Sequence, residues 1–298
     1  VTGYSLTYGA VLFFQIVAGA MFGIYHPSGV VLVINSYEKK GRGKALGYHE
    51  VGGVGGGLAM VMLGGIVAKL WGWRYLFYIF SIPGILIALL CLVWVKEESL
   101  SEEVLIEDEG KMNLGAVVAI ILCTGFQMMS IMGFRTWLPA LLMKRFRIGI
   151  MPASFLAALV PAISMVTSPI FGHISDRFSR EIVLYSVLTI FSLSLIGVAY
   201  ANSLVVMTLV LIIAGAVYIA IIPIGNAYLS DAIPKSRSGS IFGIHNMVMF
   251  LMTTIAPVTV GAMADIFSFA SGMILLACFS FSGILIIVFV PRLKPVRV

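Results

Sequence analysis

The sequence predicts an all-α membrane protein from its composition, the length of its apolar runs and the placement of its charges. Hydrophobic residues make up 60% of the 298 and charged residues 11%, against about 45–50% and about 25% in soluble domains. With a mean hydropathy of +1.07 the chain is excluded from the water-soluble folds. Its apolar runs repeatedly exceed the roughly 20 residues that cross a hydrocarbon core, so most of the mass belongs in the lipid bilayer.

Nine spans follow in order from runs bounded by charge, Pro or Gly: 5–36, 45–69, 73–95, 113–142, 150–172, 181–200, 203–231, 239–263 and 269–290. The first ends at the polar run Tyr37 to Lys40, and the second is Gly-rich, which suits close helix approach in lipid. Gly72-Trp73-Arg74 opens the third, and Lys96 closes it. The remaining six are divided by basic clusters or short polar turns. The first run has no basic n-region or cleavage site and so is no signal peptide; the opening Val1 leads us to expect missing upstream sequence.

Assigning loops alternately to two sides places Lys39, Lys40, Arg42, Lys44, Lys96, Lys111, Arg177, Arg180, Lys235, Arg237, Arg292, Lys294 and Arg297 together. Lys69, Arg74, Lys144, Arg145 and Arg147 fall on the other side. Thirteen against five makes the first side cytoplasmic and puts the C-terminus inside. The net charge of +6 is thus that of a membrane protein, and nucleic acid is not an expected partner.

Residues 96–112 form a polar, Glu-rich connection that reads as a solvated linker. It divides the chain into an N-terminal bundle over 1–95, holding three helices, and a six-helix C-terminal bundle over 113–298. An internal repeat supports the division. A shift of 196 residues places Pro27 on Pro223, Gly29 on Gly225, Lys39 on Lys235, Gly43 on Gly239, Gly47 on Gly243, His49 on His245 and Gly65 on Gly261, without a gap. The halves are therefore parallel repeats, and symmetry predicts twelve helices of which nine are present.

The loop after the fifth span reads Gly172-His173-Ile174-Ser175-Asp176-Arg177-Phe178-Ser179-Arg180. It resembles the loop signature Gly-x-x-x-Asp-Arg-x-Gly-Arg of the major facilitator superfamily, with Ser179 where the family usually has Gly. The resemblance implies that Gly172, Asp176, Arg177 and Arg180 act as a conformational latch. Gly172 would permit close helix contact, and Asp176 would pair with an Arg and face a helix N-terminus. Tyr25-His26-Pro27-Ser28-Gly29, Arg42-Gly43-Lys44-Ala45-Leu46-Gly47 and Gly72-Trp73-Arg74 resemble, in that order, the fourth to sixth helices of this family. The His-Pro pair is most similar to the fosmidomycin-resistance-like exporter branch. Major-facilitator-type helical bundles are the fold this resemblance implies.

Gly52, Gly53, Gly55, Gly56, Gly57, Gly64 and Gly65 crowd the second span, and we expect Gly52, Gly56, Gly57, Gly64 and Gly65 to serve helix packing. The run resembles the family's antiporter signature, but Met60 and Val61 replace its Gly-Pro. Pro257, at the mirror position of Val61, is expected to bend the other half.

Charges inside a span are costly, so each is a functional candidate. His26 lies ten residues before Tyr37, about 15 Å deep, at the depth of transporter binding sites; it can line a cavity or serve the Pro27 kink. Arg135 can bind an anionic substrate or anchor the outer end of its helix. Glu50 can hold a proton or pair with Arg42 as a gate, the pairing being favoured, and His49, Glu50, His245 and Asn246 are expected to converge near the cytoplasmic mouth. Asn226, Tyr228, Gln127 and Tyr218 are further polar candidates, and Asp231 reads as a solvated helix-end residue.

Cys91, Cys123 and Cys278 lie within apolar runs without paired spacing, so neither a disulfide framework nor a metal site is expected. Met128, Met129 and Met132 lack the Cys or His that a soft metal would want. No Asp-rich motif and no His-Glu-x-x-His occurs, which argues against an intramembrane enzyme and against a cofactor. The reading reached is a secondary active transporter of the plasma membrane, without cofactor. It moves a small molecule, an organic anion or amphipathic drug, by alternating access coupled to a proton. A transporter-like membrane sensor is the alternative.

Overall fold

The computed structural model describes residues 2–38, 41–94 and 112–288, and the side chains of 60–62, 64–66, 68, 69 and 235 lie outside that description. Residues 96–111 of the linker expected over 96–112, and the charges at Lys39, Lys40, Lys96, Lys111, Arg292, Lys294 and Arg297, fall outside it as well. Among the described residues, after a 3₁₀ turn at Thr2–Tyr4 come ten α-helices: α1 (Tyr8–Ser36), α2 (Arg42–Trp71), α3 (Arg74–Trp94), α4 (Leu114–Phe146) and α5 (Ile150–Arg177); then α6 (Arg180–Tyr200), α7 (Leu204–Val217), α8 (Ile221–Ala232), α9 (Ser238–Ile266) and α10 (Phe269–Val288).

Counting Leu204–Ala232 as one span, eight spans among the described residues are long and apolar enough to cross a membrane. The ninth expected span is α2, a 30-residue helix diluted by glycine and opened by Arg42 and Lys44. The 196-residue repeat holds in the elements themselves. Shifted by that offset, α1 covers 204–232, the limits of α7 and α8 together, and α2 begins at 238, where α9 begins. The seventh expected span differs in one respect: it is two helices, separated at Tyr218–Ala220. There the amides of Tyr218, Ala220 and Ile222 reach carbonyls three residues back (3.1–3.4 Å), and Pro223 has no amide to continue the ladder.

The chain divides into two compact units, 1–26 with 56–109 and 27–55 with 110–298. The first holds the 3₁₀ turn against α3, where Arg74 donates to the Ser5 carbonyl (3.1 Å) and Tyr4 packs on Tyr78 (4.9 Å between ring centroids). In the second, α4 is the central helix, packed against α9 and α10, with α6 closing on α10 and α7 on α5. Its core of Phe134, Phe191, Leu138, Leu188 and Phe242 is fully buried.

Helix ends in this unit are tied to neighbours. The Asn113 side chain caps α4 by accepting from the Ala116 amide (3.1 Å), while the Asn113 amide donates to Ala232 at the end of α8 (3.3 Å). Arg145 donates to the last carbonyls of α6, Val198 (2.6 Å) and Ala201 (3.3 Å), where a cation suits the negative helix end. Trp137 Nε1 donates to the carbonyl of Pro257 within α9 (2.8 Å).

Candidate functional site: a charged cluster joining five helix ends

The most developed polar site lies in the larger unit, where α1 and α8 end, α2 and α6 begin, and α5 ends. A helix begins with amides that have no partner within it. In α2 those of Gly43 and Lys44 are taken by Asp176 of α5, Oδ1 from Gly43 and Oδ2 from Lys44, both at 3.0 Å. The Asp176 side chain is 3% exposed, so its charge is compensated by these amides, by the α2 dipole and by Arg180 at 3.2 Å.

Such a capture requires the two backbones nearly to touch. A Cβ on Gly43 would stand 2.5 Å from the Gly172 carbonyl oxygen, and one on Gly172 would strike the Gly43 carbonyl, so neither position has room for a side chain. Gly41, just before α2, has a φ of +132°, a conformation that favours glycine.

Asp231, at the end of α8, joins the rest. Arg180 Nε donates to its Oδ2 at 2.8 Å, and Arg42 lies 3.7 Å from its Oδ1. Arg42 Nε also donates to the carbonyls of Ile34 and Tyr37 at the end of α1, both at 3.1 Å, and its Nη1 lies 3.5 Å from Ser230 Oγ. The α2 start is thus held by an anion and the α1 end by a cation, each matching the local helix dipole. Beside them, the Tyr228 hydroxyl donates to Glu181 of α6 at 3.2 Å.

Two expectations are corrected here. Asp231 is no solvated helix end; it stands between two guanidiniums from other helices. Glu50 does not gate with Arg42, whose guanidinium is committed to Asp231, Ser230 and the α1 carbonyls; Glu50 is buried and lies 3.7 Å from His49. Arg177, of the signature loop, is exposed and forms none of these contacts. Sequence reasoning missed Arg42 and Asp231 as partners, although Asp231 sits one turn before the basic loop at Lys235.

The other candidates are dispersed. His245 Nε2 lies 2.8 Å from Thr124 Oγ1 in the interior, and Ser280 donates to Gln127 at 2.6 Å; Asn226 and Asn246 are buried nearby in α8 and α9. Of the four residues expected to converge, His49 lies beside Glu50 on α2, His245 beside Thr124 of α4, and Asn246 is buried on α9. His26 is half-buried, its ring 5.9 Å from that of Phe22. A cleft of about 330 Å³ is lined by Pro27, Ser28, Val31, Leu32, Asn35 and Gly239. Arg135 is exposed on α4.

Of the expected packing glycines, Gly52, Gly56 and Gly57 have no atom within 4 Å of a built Cβ among the described residues, and Gly64 and Gly65 lie outside those described. Close approach falls earlier in α2: a Cβ on Gly47 would stand 2.7 Å from Pro169 Cα of α5. No group of three or more His, Cys, Asp or Glu among the described residues is placed to hold a metal ion.

Comparison with known proteins agrees with this architecture. The chain is 25% identical over 91% of its length to an uncharacterized MFS-type transporter, YuxJ, of Bacillus subtilis (strain 168), and covers 72% of it. It is 23% identical over 80% of its length to the multidrug resistance protein MdtG of Proteus mirabilis (strain HI4320), and spans 62% of that protein. The solved structure of the human organic anion transporter MFSD10 (TETRAN) matches 60% of this chain with a TM-score of 0.53 and 12% identity, a likeness of fold. The chain spans 42% of that structure's length. The family model of the Major Facilitator Superfamily matches residues 2–257 and again 120–298, and the chain, a multi-pass membrane protein, belongs to that superfamily of transporters.

Proposed function

We propose that this chain is a secondary active carrier that moves a small molecule by alternating access, with Asp176, Arg180, Asp231 and Arg42 as the latch that holds one of its states. The observation that carries the reading is the capture of the α2 amides by Asp176 across the Gly43–Gly172 contact. Alternating access needs a contact that is specific when formed and can be given up as a unit. Hydrogen bonds and ion pairs concentrated at five helix ends fit that need better than a broad apolar seam.

The charge count over the loops supports a plasma-membrane orientation with this cluster and the C-terminus on the cytoplasmic side. An organic anion or amphipathic drug is the proposed cargo, in keeping with the likeness to a multidrug resistance protein and an organic anion transporter and with the exporter-like His26-Pro27 pair. His26 and Glu50 are the proposed proton-carrying groups and Asn226 a cavity polar group; His26 lies beside the Pro27 cleft, and an imidazole is chemically able to accept and release a proton.

Joining Lys44→Cys to His173→Cys with a reducible methanethiosulfonate cross-linker tests the latch. Uptake into proteoliposomes should stop on linking and return on reduction. Uptake that continues with the link fully formed would show that these helix ends never separate during transport.

A further inference from the structure

Beyond the charged cluster α2 and α5 continue in contact, antiparallel and within one compact unit. Gly43 meets Gly172, and a Cβ on Gly47 would stand 2.7 Å from Pro169 Cα and 2.9 Å from the Ser168 carbonyl oxygen. Further along, a Cβ on Gly55 would stand 3.1 Å from the Met165 methyl. These contacts fix the register. Glu50 lies two turns past Gly43 on the same face of α2, between the Gly47 and Gly55 contacts, and Ser168 lies one turn before Gly172 on the facing side of α5. Side chains lean toward the N-terminus of their own helix. In this antiparallel pair Glu50 therefore leans toward the level of Ser168, and Ser168 toward the level of Glu50.

Glu50 is 7% exposed and Ser168 1%, and neither Glu50 Oε1 nor Ser168 Oγ has a hydrogen-bond partner among the described residues. His49 Nδ1, at 3.7 Å from Glu50 Oε1, is too far to supply one. Hydroxyls in a helix commonly turn back onto its carbonyls, as Ser164, Thr167 and Ser175 of α5 do at 2.7–3.2 Å; Ser168 does not. Beside it, Pro169 has no amide to give the carbonyl of Met165 one turn back, which opens a third oxygen at the same level. A buried carboxylate within a span is costly without a counter-charge, and oxygens of these three kinds are the ligands of hard cations.

We propose that the Glu50 carboxylate, the Ser168 hydroxyl and the Met165 carbonyl form a sodium site in the seam between α2 and α5. One carboxylate balances one positive charge, which favours a monovalent over a divalent ion. Two backbones that nearly touch at Gly47 leave room for a small bare ion rather than a large one. Carbonyls released from a helix ladder coordinate such ions within membranes. The site's role as a coupling site rests on the carrier reading, and sodium and the proton proposed for Glu50 are alternatives at one carboxylate. Since the ligands come from both helices, a bound ion ties α2 to α5 next to the latch.

Binding of radiolabelled sodium to the purified full chain in nanodiscs, at about pH 8 where carboxylates are ionised, tests it by scintillation proximity. Binding should saturate, and unlabelled sodium should displace the label about tenfold or more better than potassium does. Glu50→Gln should abolish binding, Ser168→Ala should weaken it about three- to tenfold, and Asp265→Asn, at an exposed carboxylate of α9, should leave it unchanged. Sodium should also raise hydrogen–deuterium protection over residues 46–54 in the parent and not in Glu50→Gln. Ser168→Ala carries the test should Glu50→Gln fail to fold. No saturable binding to folded protein, equal displacement by potassium, or parental affinity in either variant would overturn the proposal. The readout needs no flux, so it fails separately from the carrier reading: sodium binding without transport contradicts only the latter, and transport without sodium binding only the site.

Discussion

Replacing Asp176 by Asn keeps the size of the side chain and removes its charge. The two carboxylate oxygens now accept one amide each, from Gly43 and Lys44. Asn has one acceptor oxygen, so one amide loses its partner and meets an NH₂ group, a loss of about 1–3 kcal/mol for a buried donor. The anion at the start of α2 adds about 0.3–1 kcal/mol. Arg180 loses Asp176 at 3.2 Å and keeps Asp231 at 2.8 Å, so that contribution is small. The total is about 1.3–4 kcal/mol, or about 8- to 700-fold in the population with these amides engaged, at about 1.4 kcal/mol per tenfold. Hydrogen–deuterium exchange over residues 41–50 in nanodiscs reads that population directly, and protection of the Gly43 and Lys44 amides should fall by that factor. A change below about threefold, with the rest of the exchange pattern intact, would refute the reasoning that Asp176 holds α2.

Gly172→Ala places a methyl against the Gly43 carbonyl and should cost about 1–3 kcal/mol, read as lost protection over the same segment. Gly239→Ala, at the mirror of Gly43 but with nothing within 4 Å, should leave protection unchanged. Thr124→Val strips His245 of its 2.8 Å partner and should lower stability by about 1–3 kcal/mol in thermal unfolding, with Thr124→Ser restoring most of it. Asp231→Asn removes the anion between two guanidiniums; with a side chain 22% exposed, solvent screening holds the expected loss to about 1–2 kcal/mol. Arg177→Ala, exposed and outside the cluster, should stay within about 0.5 kcal/mol of the parent.

The helices were legible because hydropathy and span length are local properties, and the 196-residue offset set the starts of both α2 and α9. The break at Tyr218–Ala220 was not. Its flanks are as apolar as the rest of the run, and Pro cannot decide the matter alone, since Pro27 at the mirror position of Pro223 sits inside an unbroken α1. The loop signature pointed to Asp176 and to a helix N-terminus, but not to which helix. Asp231 was misread because a carboxylate at a helix end looks the same whether it meets water or two arginines, and those arginines come from α2 and α6. The close approaches at Gly43 and Gly47 were not singled out for packing, since Gly-x-x-x-Gly spacing says that a helix can be approached and not where the neighbour lies.

The carrier account is tested most directly by uptake in proteoliposomes under an imposed pH gradient, screening organic anions and amphipathic drugs, with Asp176→Asn in parallel. It predicts accumulation of at least one such solute that collapses when a protonophore removes the gradient, at a rate altered in the Asp176 variant. Absence of gradient-driven accumulation across the screen, in protein shown to be folded, would contradict it and favour a membrane sensor built on the same helices.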